Sequence, residues 1–506
     1  MEPKRLLTGM LALALLLGAA PAAMAAPDGE GLEAFVDRLR QEWNIPGLAV
    51  AIVDGDRVRY LCLGRRDLEA GLPVTENTLF AIGSLTKSFT ATLLGTLVDE
   101  GKVGWDDLVR GHLPGFRLHD PVAGERATVR DLLAHRTGLA RHDMMWCGGG
   151  FSGDEIFARL RYLEPCADFR EGFHYSNLIY LCAGRLAARA GGRSWDVLLR
   201  ERLFGPLGMG RANTTIDDLV RDGDFARPYE EADVDGRPSL RPMAPKNVDA
   251  VGPAGSINAS ISEMASWLRL NMNDGSAGGR RIVSAAALAE IHSPQVVIRD
   301  ESVRPFLVFP EMPWAMYGFG WYVQPYRGRR LVHHGGTIHG YTAEAAFLPD
   351  EGIGVVVLTN HHTTPFPMVL TWSLLDRLLG YEPADWGGRY RAIKARLAEA
   401  AKEEQAAGSG DPAPAVDRQS CAGAFEHPGY GELRIERDGE GLRCAYQRLE
   451  TGLASLGGGV FEALDPPFTG LTVSFEGDGE GVVGQLSIPL DSSVPAIVFT
   501  REPAEE

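Results

Sequence analysis

The order of strand-forming and helix-forming segments constrains the fold of this 506-residue chain more than any other feature. An apolar strand run at Leu48–Val53 passes through the turn Asp54–Asp56 into a second run at Val58–Leu61. Three further strand runs come late, at Gly318–Val323, Ala343–Phe347 and Ile353–Leu358. Helical segments lie between them and after them, at Ser84–Glu100, Val129–Ala134, Leu178–Ala190, Ser194–Leu203, Ile261–Leu270 and Met368–Leu379. This order predicts one α/β sheet whose first and last segments pair, with a helical lobe inserted.

The pattern changes towards the C-terminus. Arg389–Ala407 is rich in Ala, Lys and Glu and predicts an exposed helix, and Gly408–Pro414 predicts a flexible joint. Beyond it, Glu432–Arg437 alternates strictly, Asp438-Gly439 is a hairpin turn signal, and further short strands follow. We therefore expect a small all-β module, most economically a closed barrel. The predicted division is a signal segment at 1–25, an α/β domain at 30–385, a linker at 386–415 and the all-β module at 416–501.

Composition and charge limit the kinds of molecule that this chain could bind. The hydrophobic share of 45% and the charged share of 23% are those of an ordinary globular protein. The formal net charge of −17 argues against nucleic acid, because binding its phosphates requires Lys and Arg. No Cys or His spacing resembles a zinc site, and we expect neither a metal nor a cofactor.

The N-terminus has the pattern of a secretory signal. Lys4 and Arg5 precede an apolar run at Leu11–Leu17, and Ala23-Met24-Ala25 offers a cleavage site between small residues. We therefore expect a periplasmic or secreted bacterial protein with no stable membrane insertion after cleavage. The alternative is an uncleaved membrane anchor, which the short apolar run disfavours.

Export makes disulfides possible for the cysteines. Cys147 and Cys166 flank a glycine-rich loop, and Cys421 and Cys444 both lie in the C-terminal region, so two pairs are conceivable. Cys62 and Cys182 lie in apolar runs and have the pattern of buried thiols. The sequence leaves open that all six cysteines are unbridged.

Ser84 and Lys87 form a Ser-x-x-Lys motif at the start of the predicted helix Ser84–Glu100. Only six residues are lysines, so chance gives roughly a quarter of one such match. Three residues apart on a helix, the two side chains share one face. A lysine whose pKa is lowered by burial or by another cation can take the proton of a serine nucleophile. The alternative is a polar helix start with a solvated lysine.

Two further motifs follow along the chain. Tyr175-Ser176-Asn177 precedes a predicted helix; alone, this pattern is typical of a half-buried aromatic residue and a helix cap. The second motif is His334-Gly335-Gly336-Thr337, beside the late strands. Its glycines allow a ligand to lie close to a strand edge, with free backbone N–H groups pointing at it. Alone, it is equally compatible with a glycine-rich turn that carries incidental histidines.

In this order and spacing, Ser-x-x-Lys, Tyr-x-Asn and His-x-Gly resemble the active site of the β-lactamase-related serine hydrolases. That family includes class C β-lactamases, DD-peptidases, D-aminopeptidases and esterases. The runs Thr128–Leu139 and Gly252–Ile257 add to the resemblance, which covers roughly residues 30 to 380. It implies an α/β (α+β) β-lactamase/transpeptidase-like domain with an antiparallel sheet and a helical lobe. The all-β module resembles the lipocalin-like domain attached to some members.

The resemblance also implies a role for each motif residue. Ser84 corresponds to the acyl-enzyme nucleophile, Lys87 and Tyr175 share the proton handling, and Asn177 holds Lys87 and the substrate amide. Gly340-Tyr341 fixes the third motif on His334, Gly335 and Gly336 rather than on His333. The oxyanion hole is then expected from the backbone N–H groups of Ser84 and Thr337.

One departure from the lactamases bears on activity. His334 stands where those enzymes carry a lysine, and a neutral imidazole holds a carboxylate less strongly than an ammonium does. This favours peptidase or esterase chemistry. We expect an exported serine hydrolase acting on D-amino-acid-containing peptides or amides, or on small esters.

Two alternative functions, and the role of the all-β module, stay open at this point. A peptide cyclase or thioesterase of the penicillin-binding-protein type is disfavoured by the predicted signal. A catalytically silent protein that binds cell-wall peptides is disfavoured by the intact set of four motif residues. The barrel supplies none of these four, so we expect it to limit substrate size or to mediate self-assembly into a homo-oligomer.

Overall fold

The computed structural model describes residues 31–234, 237–301, 303–407, 418–439, 441–477 and 483–502. The predicted signal segment at 1–25 and the predicted joint at Gly408–Pro414 lie outside these described residues. No helix within the described ranges combines the length and the apolar character needed to cross a membrane.

The centre of the fold is an antiparallel sheet of nine strands, called the main sheet below. In spatial order its strands are Val296–Val297, Met316–Tyr317, Tyr322–Tyr326, Arg329–Ile338, Tyr341–Leu348, Ile353–Thr359, Gly47–Asp54, Arg57–Asp67 and Leu72–Pro73. The predicted pairing of first and last segments is confirmed, since Leu48 lies opposite Thr359 and Asp54 opposite Ile353. Strand Gly47–Asp54 is buried on both faces, because its alternate side chains pack into two separate apolar clusters.

The prediction of one continuous strand at Gly318–Val323 is wrong. The chain forms two short strands, Met316–Tyr317 and Tyr322–Tyr326, joined by a turn. Gly320 in this turn has φ +73°, and a Cβ there would lie 2.7 Å from the backbone carbonyl carbon of Lys87. The turn thus brings the sheet against the helix that carries Lys87, and only glycine allows that approach.

The helical lobe fills the interval between the first and the last sheet strands, as predicted. The described α-helices of the whole chain are Leu32–Glu42, Thr86–Asp99, Val109–His112, Pro121–Arg126, Val129–Leu133, Met144–Cys147, Gly153–Arg159, Asn177–Gly191, Trp195–Leu199, Gly205–Leu207, Ile216–Asp222, Gly252–Gly255, Ile261–Met272, Ala285–Ile291, Arg304–Leu307, Phe366–Leu378, Trp386–Ala407 and Arg418–Cys421. Short two-stranded pairs join Leu79–Ala81 to Asn258–Ser260, Tyr229–Val234 to Arg237–Pro242, and Ser276–Ala277 to Arg280–Arg281. Helix Thr86–Asp99 is buried along nearly its whole length, and Phe89 stacks on Trp267 at 3.7 Å between ring centroids.

The C-terminal strands close into an eight-stranded barrel, which confirms that prediction. They are Gly423–His427, Gly431–Asp438, Gly441–Tyr446, Leu449–Gly457, Val460–Ala463, Thr472–Gly477, Val483–Ile488 and Ile497–Arg501. Leu433 and Ile435 are buried inside while their neighbours along the strand are exposed, as the alternation predicted. The first and last strands pair through Glu426 and Thr500, so the barrel has no open edge.

The barrel packs directly on the helical lobe. One apolar cluster runs from the lobe into the barrel interior, and it includes the buried Tyr430. His142 Nδ1 lies 2.8 Å from the Tyr430 hydroxyl, and the His142 backbone N–H donates to Asp491 at 2.7 Å. The helix Trp386–Ala407 ahead of the barrel buries Trp386 and Tyr390 at its start, and residues 391–400 are exposed apart from the half-buried Ile393, as predicted for this segment.

Neither conceivable disulfide forms among the described cysteines. Burial instead raises the pKa of the Cys147 thiol to about 11 and that of Cys182 to about 12.

Candidate active site

Ser84 and Lys87 lie where the strand–helix connection enters the helical lobe. Ser84 occupies a 3-10 turn, Gly83–Leu85, ahead of the helix Thr86–Asp99, so the predicted helix begins slightly later than expected. Lys87 lies in the first turn of that helix and is fully buried. Its Nζ atom lies 3.1 Å from Ser84 Oγ, which places an amine against the hydroxyl as the motif predicted.

The surroundings of Lys87 favour its neutral form. Burial, and secondarily the charge of Arg141, hold the pKa of Lys87 well below its ordinary value. Nζ donates to Asn177 Oδ1 at 2.8 Å and to the carbonyl oxygen of Ala254 at 2.9 Å. A neutral amine has two N–H bonds, and these two acceptors use both. The remaining lone pair is therefore available to the proton of Ser84.

Tyr175 contacts the serine from a second direction. Its hydroxyl donates to Ser84 Oγ at 2.8 Å, and burial raises the pKa of the phenol above its ordinary value, so Tyr175 is a proton donor at neutral pH. His135 fixes the backbone on both sides of Tyr175. The His174 N–H donates to the His135 carbonyl at 2.9 Å, and the Ser176 N–H donates to His135 Nδ1 at 3.1 Å.

The third motif forms the strand Arg329–Ile338, whose glycines lie against the serine turn. A Cβ on Gly336 would overlap the Ile82 carbonyl oxygen and lie 3.2 Å from Ser84 N. Conversely, a Cβ on Gly83 would lie 2.9 Å from Thr337 N. The backbone nitrogens of Ser84 and Thr337, which were predicted to form the oxyanion hole, are thus brought together by two glycines.

His334 is buried and both of its ring nitrogens are engaged. Nδ1 lies 2.5 Å from the Gly335 carbonyl oxygen, which can only accept, so Nδ1 carries the proton. Nε2 then accepts from the Tyr317 hydroxyl at 3.0 Å. Burial lowers the pKa of His334 to about 3, so the imidazole is neutral at physiological pH. His333 lies on the other face of the strand, where its Nδ1 is 2.8 Å from Glu344.

Two charged residues that the sequence reading did not single out complete the site. Asp143 accepts from Asn177 Nδ2 at 3.0 Å, and it also forms an ion pair with Arg141 at 2.7 Å. Arg141 in turn lies with its guanidinium carbon 5.1 Å from the centroid of the Tyr175 ring. The one signal available in the sequence was their position directly after the Thr137-Gly138-Leu139 run of the resemblance.

A cavity of about 720 Å³ opens on the Tyr175 side of these residues. Its lining is shared by the lobe, the sheet edge and the barrel, and includes Arg141, His174, Tyr175, Val296, Arg299, Asp300 and the barrel loop Asp491–Ser493. The segments Arg141–Cys166 and Pro294–Trp314 both contribute to it. Among the described residues, no cluster of three or more His, Cys, Asp or Glu side chains could hold a metal ion.

Several known proteins are similar to this chain in sequence or in fold. The unguisins hydrolase of Aspergillus campestris is 30% identical over 426 residues, which cover 80% of this chain and 77% of that protein. The D-aminopeptidase of Brucella anthropi is 30% identical over 342 residues, or 66% of this chain and 59% of that protein. The octameric penicillin-binding protein homologue from Pyrococcus abyssi has the same fold, with a TM-score of 0.62 at 22% identity over 92% of this chain and 99% of that chain. The family model described as Beta-lactamase matches residues 32–378, and the chain belongs to this family of serine hydrolases.

Proposed function

We propose that this protein is an exported hydrolase that forms an acyl-enzyme on Ser84. Its substrates are D-amino-acid-containing peptides or amides, with small esters as the looser alternative. The observation that carries the proposal is the placement of the buried Lys87 amine, whose Nζ lies 3.1 Å from Ser84 Oγ and is held by Asn177 Oδ1 and the Ala254 carbonyl oxygen. Cleavage of the predicted signal after residue 25 would release the enzyme into the periplasm or the medium.

The contacts support a specific course for acylation. Ser84 Oγ attacks the substrate carbonyl while its proton moves to Lys87 Nζ. The developing oxyanion lies against the backbone nitrogens of Ser84 and Thr337. Tyr175 gives its proton to the leaving group and regains one from Lys87, so the net transfer is from Ser84 to the leaving group. Water then attacks the acyl ester, and the same groups carry the proton in reverse.

The substrate class is supported by the activities for which two relatives are named, a hydrolase of unguisins and a D-aminopeptidase. The neutral and fully engaged His334 adds to this, because the strand offers no cation to a β-lactam carboxylate. A homo-oligomer is supported by the octameric neighbour of the same fold. The cavity shared with the barrel supports a role for the barrel in limiting substrate size.

The test is covalent labelling with a fluorophosphonate probe, followed by a hydrolysis screen of D- and L-aminoacyl amides, β-lactams and short-chain esters. We expect Ser84→Ala to lose both labelling and turnover while keeping its fold. Ser266→Ala, a helix serine outside the site, is the matched control and should keep both. If Ser84→Ala retains a tenth or more of the activity on the preferred substrate, the nucleophile is misassigned. A wild-type protein that takes no label would favour the silent binding protein.

A further inference from the structure

Arg141 is a cation held at a fixed place beside the proposed catalytic residues. Its Nε and Nη2 atoms both donate to Asp143 Oδ2, at 2.9 and 2.7 Å. The other oxygen of Asp143 accepts from Asn177 Nδ2 at 3.0 Å and from Trp146 Nε1 at 2.8 Å. One carboxylate therefore positions both the guanidinium and the amide that binds Lys87, so Arg141 is rigid relative to Ser84.

Arg141 is also accessible to a ligand. Its side chain is 49% exposed although it packs 5.1 Å from the Tyr175 ring centroid, and it lines the cavity on that side. Among the described residues, nothing accepts a hydrogen bond from its Nη1 atom. A guanidinium carries five N–H donors in a planar fork, so the ion pair with Asp143 leaves donors for a second anion.

Few other groups around the cavity could present a positive charge to a bound anion. Lys87 is buried and His334 is neutral, so neither presents a positive charge to substrate. Arg299 is the second guanidinium in the cavity lining. The carboxylates of the lining are Glu171, Asp300 and Asp491, of which Asp491 accepts from the His142 N–H and from Ser493. Of the two guanidinium groups in the lining, Arg141 is the one that packs against the Tyr175 ring.

We propose that Arg141 is the specificity-determining residue that binds a substrate carboxylate on the Tyr175 side of the scissile bond. Arg141 supplies this positive charge from the helical lobe, because the neutral His334 does not supply one from the strand Arg329–Ile338. The preferred substrates are then short D-peptides with a free carboxylate one residue from the bond that is cleaved. This inference rests on the proposed function, because it assumes that Ser84 attacks that bond.

The experiment compares two substrates that differ only in this group, a D-aminoacyl-D-alanine dipeptide and its C-terminal carboxamide. We expect wild-type protein to prefer the carboxylate, with the difference in KM. Arg141→Gln should reduce the kcat/KM ratio of the pair by about 10-fold to 100-fold, as for the loss of a charged hydrogen bond. Arg141→Lys should recover part of the ratio, because an ammonium keeps the charge without the fork. Arg299→Gln, the matched change at the other guanidinium, should keep the ratio within about twofold of wild type.

The outcomes separate this inference from the proposed function. Fluorophosphonate labelling of Ser84 is measured in every variant; if wild-type protein takes no label, the proposed function fails. If labelling is normal but wild-type protein shows no preference, or Arg141→Gln keeps it, the inference is overturned alone. A ratio that collapses in Arg299→Gln and not in Arg141→Gln also overturns it. If Arg141→Gln does not fold, the test uses Arg141→Lys, which keeps the charge. A kcat/KM ratio equal to that of wild-type protein in Arg141→Lys would exclude recognition of the carboxylate by the planar guanidinium.

Discussion

Lysine usually lies on the surface as a cation, whereas Lys87 is buried and is placed to act as a base. An ammonium without a counter-charge is costly to bury, and the cheaper state is the neutral amine. Two acceptors, Asn177 Oδ1 and the Ala254 carbonyl, come from different helices and fix the direction of its lone pair. The residue-level chemistry therefore depends on partners distant in the chain as much as on the Ser-x-x-Lys spacing.

Because Lys87 and Tyr175 both contact Ser84 Oγ, their contributions should not be independent. We expect Lys87→Met and Tyr175→Phe each to slow fluorophosphonate labelling by about 10²-fold to 10⁴-fold. The double variant should be only a few-fold slower than the worse single variant, since both residues handle one proton. Tyr162→Phe, at an exposed tyrosine, should label at the wild-type rate. Losses that multiply in the double variant would show that one of the two residues acts only structurally.

The lowered pKa of Lys87 predicts two dependences on pH. Labelling requires the neutral amine, so its rate should rise with pH and level off well below pH 10.5. The unfolded lysine binds a proton that the folded one does not, between the lowered folded pKa and 10.5. Stability should therefore fall as pH falls through this window, and Lys87→Met should remove that part of the dependence. Urea unfolding of both proteins at several pH values tests this; identical profiles would contradict a neutral Lys87.

At the scale of elements, strand Arg329–Ile338 and the serine turn form the site by close approach of two backbones. Gly336 and Gly83 are the positions where this approach leaves no room for a side chain. On the opposite face of the strand, His333 pairs with Glu344. The strand is thus held by this pair on one face and lies against the serine turn on the other.

Gly336→Ala should separate the strand from the serine turn, because the new Cβ would overlap the Ile82 carbonyl oxygen. We expect labelling to slow by about 10²-fold to 10³-fold, the loss typical of a displaced oxyanion donor. Gly484→Ala is the matched control, since Gly484 is also a strand glycine and has open space where a Cβ would lie. Near-normal labelling of folded Gly336→Ala would remove this strand from the proposed oxyanion hole.

At the scale of the whole molecule, the barrel and the lobe share one apolar cluster and one cavity. The loop Asp491–Ser493 reaches the cavity from the barrel and is anchored to the lobe through the His142 N–H. Cutting the chain near Ala407 would expose this shared surface, so a substitution in the loop isolates the role of the barrel better than a truncation.

Ser492→Trp places a large side chain at the cavity from the barrel side, where Ser492 is exposed. We expect the variant to label normally with a small probe. It should lose activity on longer peptides by about tenfold or more relative to dipeptides, because the indole would fill cavity space that a longer peptide needs. Val498→Trp, at an exposed barrel residue outside the cavity lining, should keep the wild-type length preference. An unchanged preference in Ser492→Trp would leave the barrel without a role in substrate selection.

The sequence by itself determined the features that depend on local periodicity and spacing. The order of segments predicted the pairing of Leu48–Asp54 with the last strand of the main sheet, and alternation predicted the closed barrel. The Ser-x-x-Lys spacing was enough to bring Ser84 and Lys87 into contact, because three residues make one turn of helix.

Only the tertiary structure decided the features that depend on residues far apart in the chain. The strand predicted at Gly318–Val323 is interrupted because Gly320 must approach the backbone of Lys87. His334 is unavailable to substrate because Tyr317 occupies its free nitrogen. Arg141 becomes a candidate recognition residue through Asp143, which also holds Asn177 across 34 positions of sequence. Such contacts follow from how helices and strands pack together, and no local pattern along the chain encodes that packing.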